Sequence, residues 1–94
     1  MKYHVLKTWP DYFQRILEGR KTAEWRKNDR NFCHGDYLVL QEYKPKEDIY
    51  TGRVLVAEIT DIVQAESFHM TPGYCVMSIC LISEAHNIQQ TPGP

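Results

Sequence analysis

The sequence contains little of what marks a secreted or membrane-spanning protein. Only three of its 94 residues are cysteines, and Cys33, Cys75 and Cys80 show no C-x-x-C spacing, which favours reduced thiols over a disulfide framework. No apolar run approaches the roughly 20 residues that a membrane-spanning helix needs, and the chain from Met1 leads directly into a strand-like run without a leader pattern. We therefore expect a cytoplasmic protein with no membrane partner.

The common signatures of cofactor and metal sites are also missing. There is no glycine-rich phosphate loop, and the four histidines do not stand at the spacings of metal ligands. Cys33 and His34 are adjacent, and two adjacent side chains do not easily reach one tetrahedral ion. We expect no cofactor and no metal site, and the spacing gives no support to a catalytic Cys–His pair.

Net charge is small, but its distribution is uneven. The total of −1 gives no overall attraction to a polyanion. Residues 1–30 hold eight Lys/Arg and four Asp/Glu, whereas residues 31–94 hold three Lys/Arg and eight Asp/Glu. A basic segment of this kind is typical of a phosphate-binding surface. The length is that of a single small domain.

Hydrophobic periodicity predicts a mostly β domain with one early helix. Tyr12, Phe13, Ile16 and Leu17 form an apolar stripe on a helix over residues 10–18, with Thr8 as its cap and Gly19 at its end. The predicted strands cover 3–7, 21–27, 37–43, 53–63 and 74–82. We expect an α+β fold, a small and mostly antiparallel barrel of about five strands covered by the helix. We expect the domain to span 1–83 and residues 84–94 to form a disordered tail.

The stretch from Gly19 to Arg30 is the most informative part of the chain. Ala23 and Trp25 alternate with Glu24 and Arg26, which is the period of a strand with one buried face. This pattern predicts that Ala23 and Trp25 enter the core while Glu24 and Arg26 share the opposite face, with Lys21 leaning toward them. An ordinary solvated strand face with a Glu–Arg pair is the alternative interpretation.

These residue types are suited to binding a phosphorylated ligand. Arginine offers a planar fork for phosphate and lysine a point charge, while Glu24 can accept hydrogen bonds from a base or ribose, or act as a general base. Lys21 and Glu24 are the catalytic candidates. Trp9, Tyr43 and Tyr74 are candidates for stacking on bases. The predicted ligand-binding residues are Lys7, Trp9, Lys21, Glu24, Arg26, Asn28 and Arg30.

The pattern Gly-x-Lys-x-x-Glu-x-Arg over residues 19–26, after the Lys7-Thr8-Trp9-Pro10 helix start and before Gly35-Asp36, resembles the ASCH domains of the PUA-like superfamily. The resemblance covers roughly residues 3–82 and is closest to small bacterial and phage members of unknown function. It implies a β-barrel whose cleft, between helix and barrel, is lined by Lys21, Glu24 and Arg26. In that superfamily the cleft is thought to hold RNA, a nucleotide or a nucleoside.

The resemblance leaves three functions open. The first is a nucleic-acid-binding module with RNA or a nucleotide as its partner. The second is a small hydrolase, a ribonuclease or an amidohydrolase, with Glu24 or Lys21 as base. The third is a phage-type interaction protein that sequesters a host factor or a nucleotide signal. An ASCH-type acetylcytidine amidohydrolase uses a threonine nucleophile where this chain has Glu24, so the amidase mechanism does not carry over and binding is the preferred interpretation.

Overall fold

The computed structural model describes residues 1–86, and it places five strands and one α-helix in that range. The elements are β1 (Tyr3–Thr8), α1 (Pro10–Leu17), β2 (Ala23–Lys27), β3 (Tyr37–Lys44), β4 (Ile49–Gln64) and β5 (Tyr74–His86), with a short 3-10 helix at Ala65–Phe68. The mostly β composition and the single early helix confirm the α+β prediction.

All five strands join one curled sheet in the order β1-β3-β4-β5-β2. β1 pairs with β3 in parallel, and the other three neighbouring pairs are antiparallel. β1 and β2 are therefore the two edges of a half-barrel, and within residues 1–86 no backbone ladder joins them. The predicted barrel is open along this line, which we call the seam.

The core lies between the concave face of the sheet and α1. Phe13 and Ile16 are the buried residues of the helix, as expected for the apolar stripe of an amphipathic helix. Alternate strand residues meet them because successive side chains in a strand point to opposite faces. The strand residues in this core are Leu6, Leu38, Leu40, Leu55, Ala57, Ile59, Cys75, Met77 and Ile79.

The helix begins and ends close to the predicted residues, but its N-cap residue is not the predicted one. Trp9 occupies the N-cap position without a side-chain hydrogen bond, and Pro10 is in the first turn. Thr8, predicted as the cap, instead ends β1 with its side chain on the buried face. Gly19 follows the helix with φ +79°, a left-handed conformation that glycine adopts without steric cost.

The last two strands are longer than their apolar runs. β4 starts at Ile49 rather than Arg53, and β5 continues through His86. Residues 84–86, assigned to the tail from sequence, pair with Arg53, Val54 and Leu55 of β4; the rest of the predicted tail, 87–94, lies outside the described residues. Register shifts at Val56/Ala57 and Ile59/Asp61 bend this long hairpin, as β-bulges do.

Among residues 1–86, no helix combines the length and the apolar character needed to cross a membrane.

Candidate functional site

A cleft of about 480 Å³ opens where the start of α1 meets the edge strands β1 and β2. β1 supplies its last residues, the helix its first turn, and β2 its concave face. The lining residues are Lys7, Thr8, Trp9, Tyr12, Lys21, Glu24, Trp25 and Arg26. Three cations and three aromatic rings thus surround a single carboxylate.

Glu24 is the centre of an ion cluster in this cleft. It is only 4% exposed, and both carboxylate oxygens are paired. Lys21 Nζ donates to Oε1 at 2.6 Å and Arg26 Nε donates to Oε2 at 2.8 Å; Lys21 Nζ also donates to the carbonyl of Ala23. A buried carboxylate is tolerated only when it is paired in this way. The predicted convergence of Lys21, Glu24 and Arg26 is confirmed.

The predicted phase of β2 is wrong. Ala23 is exposed and Trp25 is 41% exposed, whereas Glu24 is buried. Trp25 instead stacks on Tyr74 of β5, with ring centroids 5.9 Å apart. The reason is that β2 is an edge strand whose concave side faces the polar cleft. Two cations stabilise Glu24 there, so the apolar residues lose the inward positions.

Two arginines span the seam between the edge strands. Arg26 Nη2 donates to the carbonyl of Lys7 at 2.8 Å, and Arg30 Nη1 donates to the carbonyl of Val5 at 2.7 Å. Val5 and Lys7 are alternate residues of β1, and alternate carbonyls of an edge strand point away from the sheet and lack ladder partners. The two side chains therefore supply the hydrogen bonds that a sixth strand would supply, so Arg26 serves both the seam and the ion cluster.

Exposed aromatic rings form the outer walls of the cleft. Trp9 is 55% exposed and lies 6.4 Å from Tyr12 between ring centroids. Lys7 Nζ lies 4.4 Å from the centre of the Tyr43 ring, a cation–π distance.

A second cavity of about 640 Å³, the hairpin cavity, is lined by Trp9, Pro10 and residues 44–47. Trp9 is common to the two cavities.

The sequence model of the family described as "Domain of unknown function (DUF3850)" matches residues 3–79. The chain belongs to this family. A curated relative from Escherichia phage P2, the "Uncharacterized 12.9 kDa protein in GpA 3'region", is 46% identical over 61 residues, which are 65% of this chain and 54% of the relative. The chain thus spans about half the length of the curated relative it matches. The cleft residues, from Lys7 to Arg26, all lie within the range that the family model covers.

The structure brings five of the seven predicted ligand-binding residues to the cleft: Lys7, Trp9, Lys21, Glu24 and Arg26. The other two lie elsewhere. Asn28 accepts a hydrogen bond from the backbone of Phe32 and donates to Gln64, so its amide organises a loop. Arg30 lines a neighbouring cavity of about 290 Å³. Both side chains are engaged in the fold, Asn28 through these hydrogen bonds and Arg30 through its bond to the Val5 carbonyl.

Sequence reasoning missed three residues of the cleft. Trp25 was expected in the core, Tyr12 in the core stripe and Thr8 at the helix cap; all three line the cleft. A stricter reading would have found one of them. Tyr12 lies about 100° around the helix from Phe13 but only about 40° from Ile16, so helix phase alone does not separate it from the buried stripe. Thr8 continues the alternation of His4 and Leu6, which are buried on β1.

Thr8 is also chemically distinctive. The residue is 3% exposed, and among the described residues its Oγ1 is the one buried side-chain oxygen or nitrogen without a hydrogen-bond partner. Buried hydroxyls are normally paired, because an unpaired one loses its hydrogen bonds to water without replacement. A residue with a buried hydroxyl of this kind therefore lines the cleft.

A second buried polar cluster lies at the other end of β1. Asp36 Oδ2 accepts from His4 Nε2 at 2.9 Å and from the backbone of Cys33 at 3.1 Å, and Oδ1 accepts from the backbone of Lys2 at 3.1 Å. The His4 hydrogen bond is the main cause that holds the pKa of Asp36 below its ordinary value. This cluster ties the N-terminus to the start of β3, so its role is structural.

Proposed function

We propose that this chain is a nucleic-acid-binding module, and that its cleft takes a segment of single-stranded RNA or a nucleotide. The observation that carries the proposal is the meeting of Lys7 and the ion cluster around Glu24, which has two cations for one carboxylate, with the exposed rings of Trp9 and Trp25 in one cleft. Cations that attract phosphate, next to aromatic faces on which bases stack, are the combination used to bind single strands.

The sequence resemblance to ASCH domains supports the same proposal. Its Gly-x-Lys-x-x-Glu-x-Arg residues line the cleft at Lys21, Glu24 and Arg26. A curled five-stranded sheet with one helix agrees with the coarse outline of that fold. We propose on this basis that the half-barrel is an ASCH-type, PUA-like domain.

Binding is favoured over hydrolysis by the state of Glu24. A general base must be able to approach the proton that it removes, whereas Glu24 is 4% exposed and each of its oxygens is held by a cation, Lys21 or Arg26. Lys21 is in turn held by Glu24 and the Ala23 carbonyl. The cluster is built to stay fixed, which suits a rigid binding surface.

The test is a fluorescence-anisotropy titration with labelled single-stranded RNA and with labelled nucleotides, at two salt concentrations. Trp9→Ala should weaken RNA binding by about 1–3 kcal/mol if a base stacks on this ring. Lys7→Ala should reduce the slope of log affinity against log salt by about 0.7, the contribution of one phosphate contact to a single strand. Lys7 is preferred to Arg26 for this test because the Arg26 side chain also holds the seam.

β1 offers matched controls at its other end. Tyr3→Ala removes an exposed aromatic ring that stacks on Tyr37, and Lys2→Ala removes an exposed positive charge; neither residue lines the cleft. Lys44 and Lys46 are unsuitable controls because they line the hairpin cavity beside Trp9. Losses as large for Tyr3→Ala and Lys2→Ala as for the cleft variants would refute the cleft as the RNA site.

Two further outcomes would redirect the proposal. Cleavage or deacylation products in the same incubations, lost in Glu24→Gln by roughly 10²–10⁴-fold, would establish the hydrolase instead. Absence of binding to every RNA and nucleotide tested, together with a nuclease-resistant stoichiometric complex in a pull-down, would establish the protein-partner function.

A further inference from the structure

Thr8 carries a buried hydroxyl that has no hydrogen-bond partner within the described residues. β1 directs His4, Leu6 and Thr8 to its buried face. His4 is paired with Asp36 and Leu6 packs in the core, so both are satisfied. Thr8 alone of the three lines the cleft. Its Oγ1 is closed to solvent and has no partner among residues 1–86, so the hydroxyl reaches the cleft by rotation about the Cα–Cβ bond to another staggered rotamer.

A buried, unpaired hydroxyl is costly, and the cost is recovered when a bound molecule supplies the partner. The neighbouring groups limit what that molecule can be. Glu24 is the carboxylate of the same cleft, and its ion pairs with Lys21 and Arg26 are already complete. A phosphate placed at this end would face the carboxylate. A neutral group that both donates and accepts hydrogen bonds suits the Thr8 hydroxyl, which can do either.

The cleft walls fit the same kind of group. Trp9, Tyr12 and Trp25 present aromatic surface around the opening. A flat heteroaromatic ring stacks on such surface whichever base it belongs to. Stacking alone does not distinguish bases, whereas hydrogen bonds to base edges do. Lys7 lies over the ring of Tyr43 on β3. Its ammonium group is therefore the cation that can bind the phosphate at the outer side of the cleft.

We propose that Thr8 is a specificity-determining residue of the cleft, whose hydroxyl hydrogen-bonds the uncharged edge of a nucleobase that enters between the aromatic walls. The phosphate of the same nucleotide stays outside, near Lys7. This inference rests on the proposed nucleic-acid-binding function and adds to it which end of the nucleotide enters.

The test compares Thr8→Val with Thr8→Ser. Valine keeps the shape of threonine and removes the hydroxyl, while serine keeps the hydroxyl. Anisotropy titrations use labelled homopolymers of adenosine, cytidine and uridine, each about ten nucleotides long. Thr8→Val should weaken the affinity for the most tightly bound homopolymer by about 5–10-fold, as expected for the loss of one hydrogen bond. It should also bring the three affinities closer together. Thr8→Ser should restore both the affinity and the discrimination.

Thermal unfolding of the free protein supplies a measurement that needs no ligand. The unfolding midpoint of Thr8→Val should equal or exceed that of the unmutated chain, because the change removes an unpaired buried hydroxyl. Thr60→Val is the matched control, since the Thr60 hydroxyl is exposed, donates to the Ser78 carbonyl and lies outside the cleft. Its homopolymer affinities should not change.

Three results would overturn the inference. Unchanged discrimination in Thr8→Val, with binding still lost in Trp9→Ala, would leave the proposed function intact and remove the role of Thr8. A clearly lower unfolding midpoint in Thr8→Val would show that the hydroxyl serves the fold. No binding of any homopolymer by the unmutated chain would overturn the inference and the proposed function together.

Discussion

Arg26 connects the candidate site to the stability of the half-barrel, and replacing it tests both parts of the structure. Its Nε pairs with the buried Glu24 carboxylate and its Nη2 bonds the free Lys7 carbonyl of the opposite edge strand, each at 2.8 Å. Arg26→Ala therefore breaks an ion pair and opens one of the two bridges across the seam.

The expected loss of stability in Arg26→Ala follows from these two contacts. Hydrogen bonds to charged groups contribute about 1.5–3 kcal/mol each. Arg26 is 29% exposed on its side chain and Lys21 remains as a partner of Glu24, so the lower part of the range applies. We expect Arg26→Ala to reduce the free energy of unfolding by about 2–3 kcal/mol. For a domain of this size, that lowers the unfolding midpoint by about 8–24 °C.

Arg30→Ala is the matched control. Arg30 bridges the same seam through a bond to the Val5 carbonyl, but it has no carboxylate partner within the described residues. Its loss should cost about 1–1.5 kcal/mol, at or below the lower end of the range, because this single bond is exposed. Arg26→Lys keeps the charge but lacks the planar guanidinium that reaches both acceptors. Its free energy of unfolding should lie between those of the unmutated chain and Arg26→Ala.

The assay is urea and thermal unfolding followed by circular dichroism, with a double-mutant cycle between Arg26→Ala and Glu24→Gln. A coupling energy of about 1–2 kcal/mol is expected for two residues in one ion cluster. A loss below that of Arg30→Ala, or a coupling energy near zero, would refute the reasoning that Arg26 stabilises both Glu24 and the seam.

Two more predictions concern acid and thiol chemistry. Because the Asp36 pKa is lowered in the fold, first by the His4 hydrogen bond, its stabilising contribution is complete above the unfolded pKa of about 3.9 and disappears as pH falls through the folded value. Asp36→Asn should flatten the loss of stability below about pH 4 in urea titrations; an unchanged acid profile would contradict this. Cys33 and Cys80 are exposed, while Cys75 is buried and burial raises the pKa of its thiol. A chromogenic disulfide reagent should therefore modify Cys33 and Cys80 quickly in the native protein and Cys75 only on unfolding, which Cys75→Ser checks by removing the slow phase.

Local pattern predicted the helix and its end well. The apolar stripe at Phe13 and Ile16 and the glycine at position 19 are properties of adjacent residues, and helix periodicity and glycine conformation need no knowledge of distant partners. The extensions of β4 and β5 were not predicted, because strand pairing rather than their own composition holds them. Ile49 and Tyr50 pair with the end of β3 across the hairpin, and Glu84–His86 pair with β4.

For the candidate site, the sequence by itself determined that Glu24 and Arg26 share one strand face, because residues two apart in a strand do so whichever face is buried. It did not determine which face that is. Hydrophobicity favoured burying Trp25, yet Glu24 is the buried residue. Only the fold places Lys21, Arg26 and the end of β1 around this carboxylate, and the energy of pairing then outweighs the cost of removing it from water. The same long-range arrangement sets Thr8 beside the cleft and Arg30 across the seam, since both depend on two edge strands, distant in sequence, that approach without pairing.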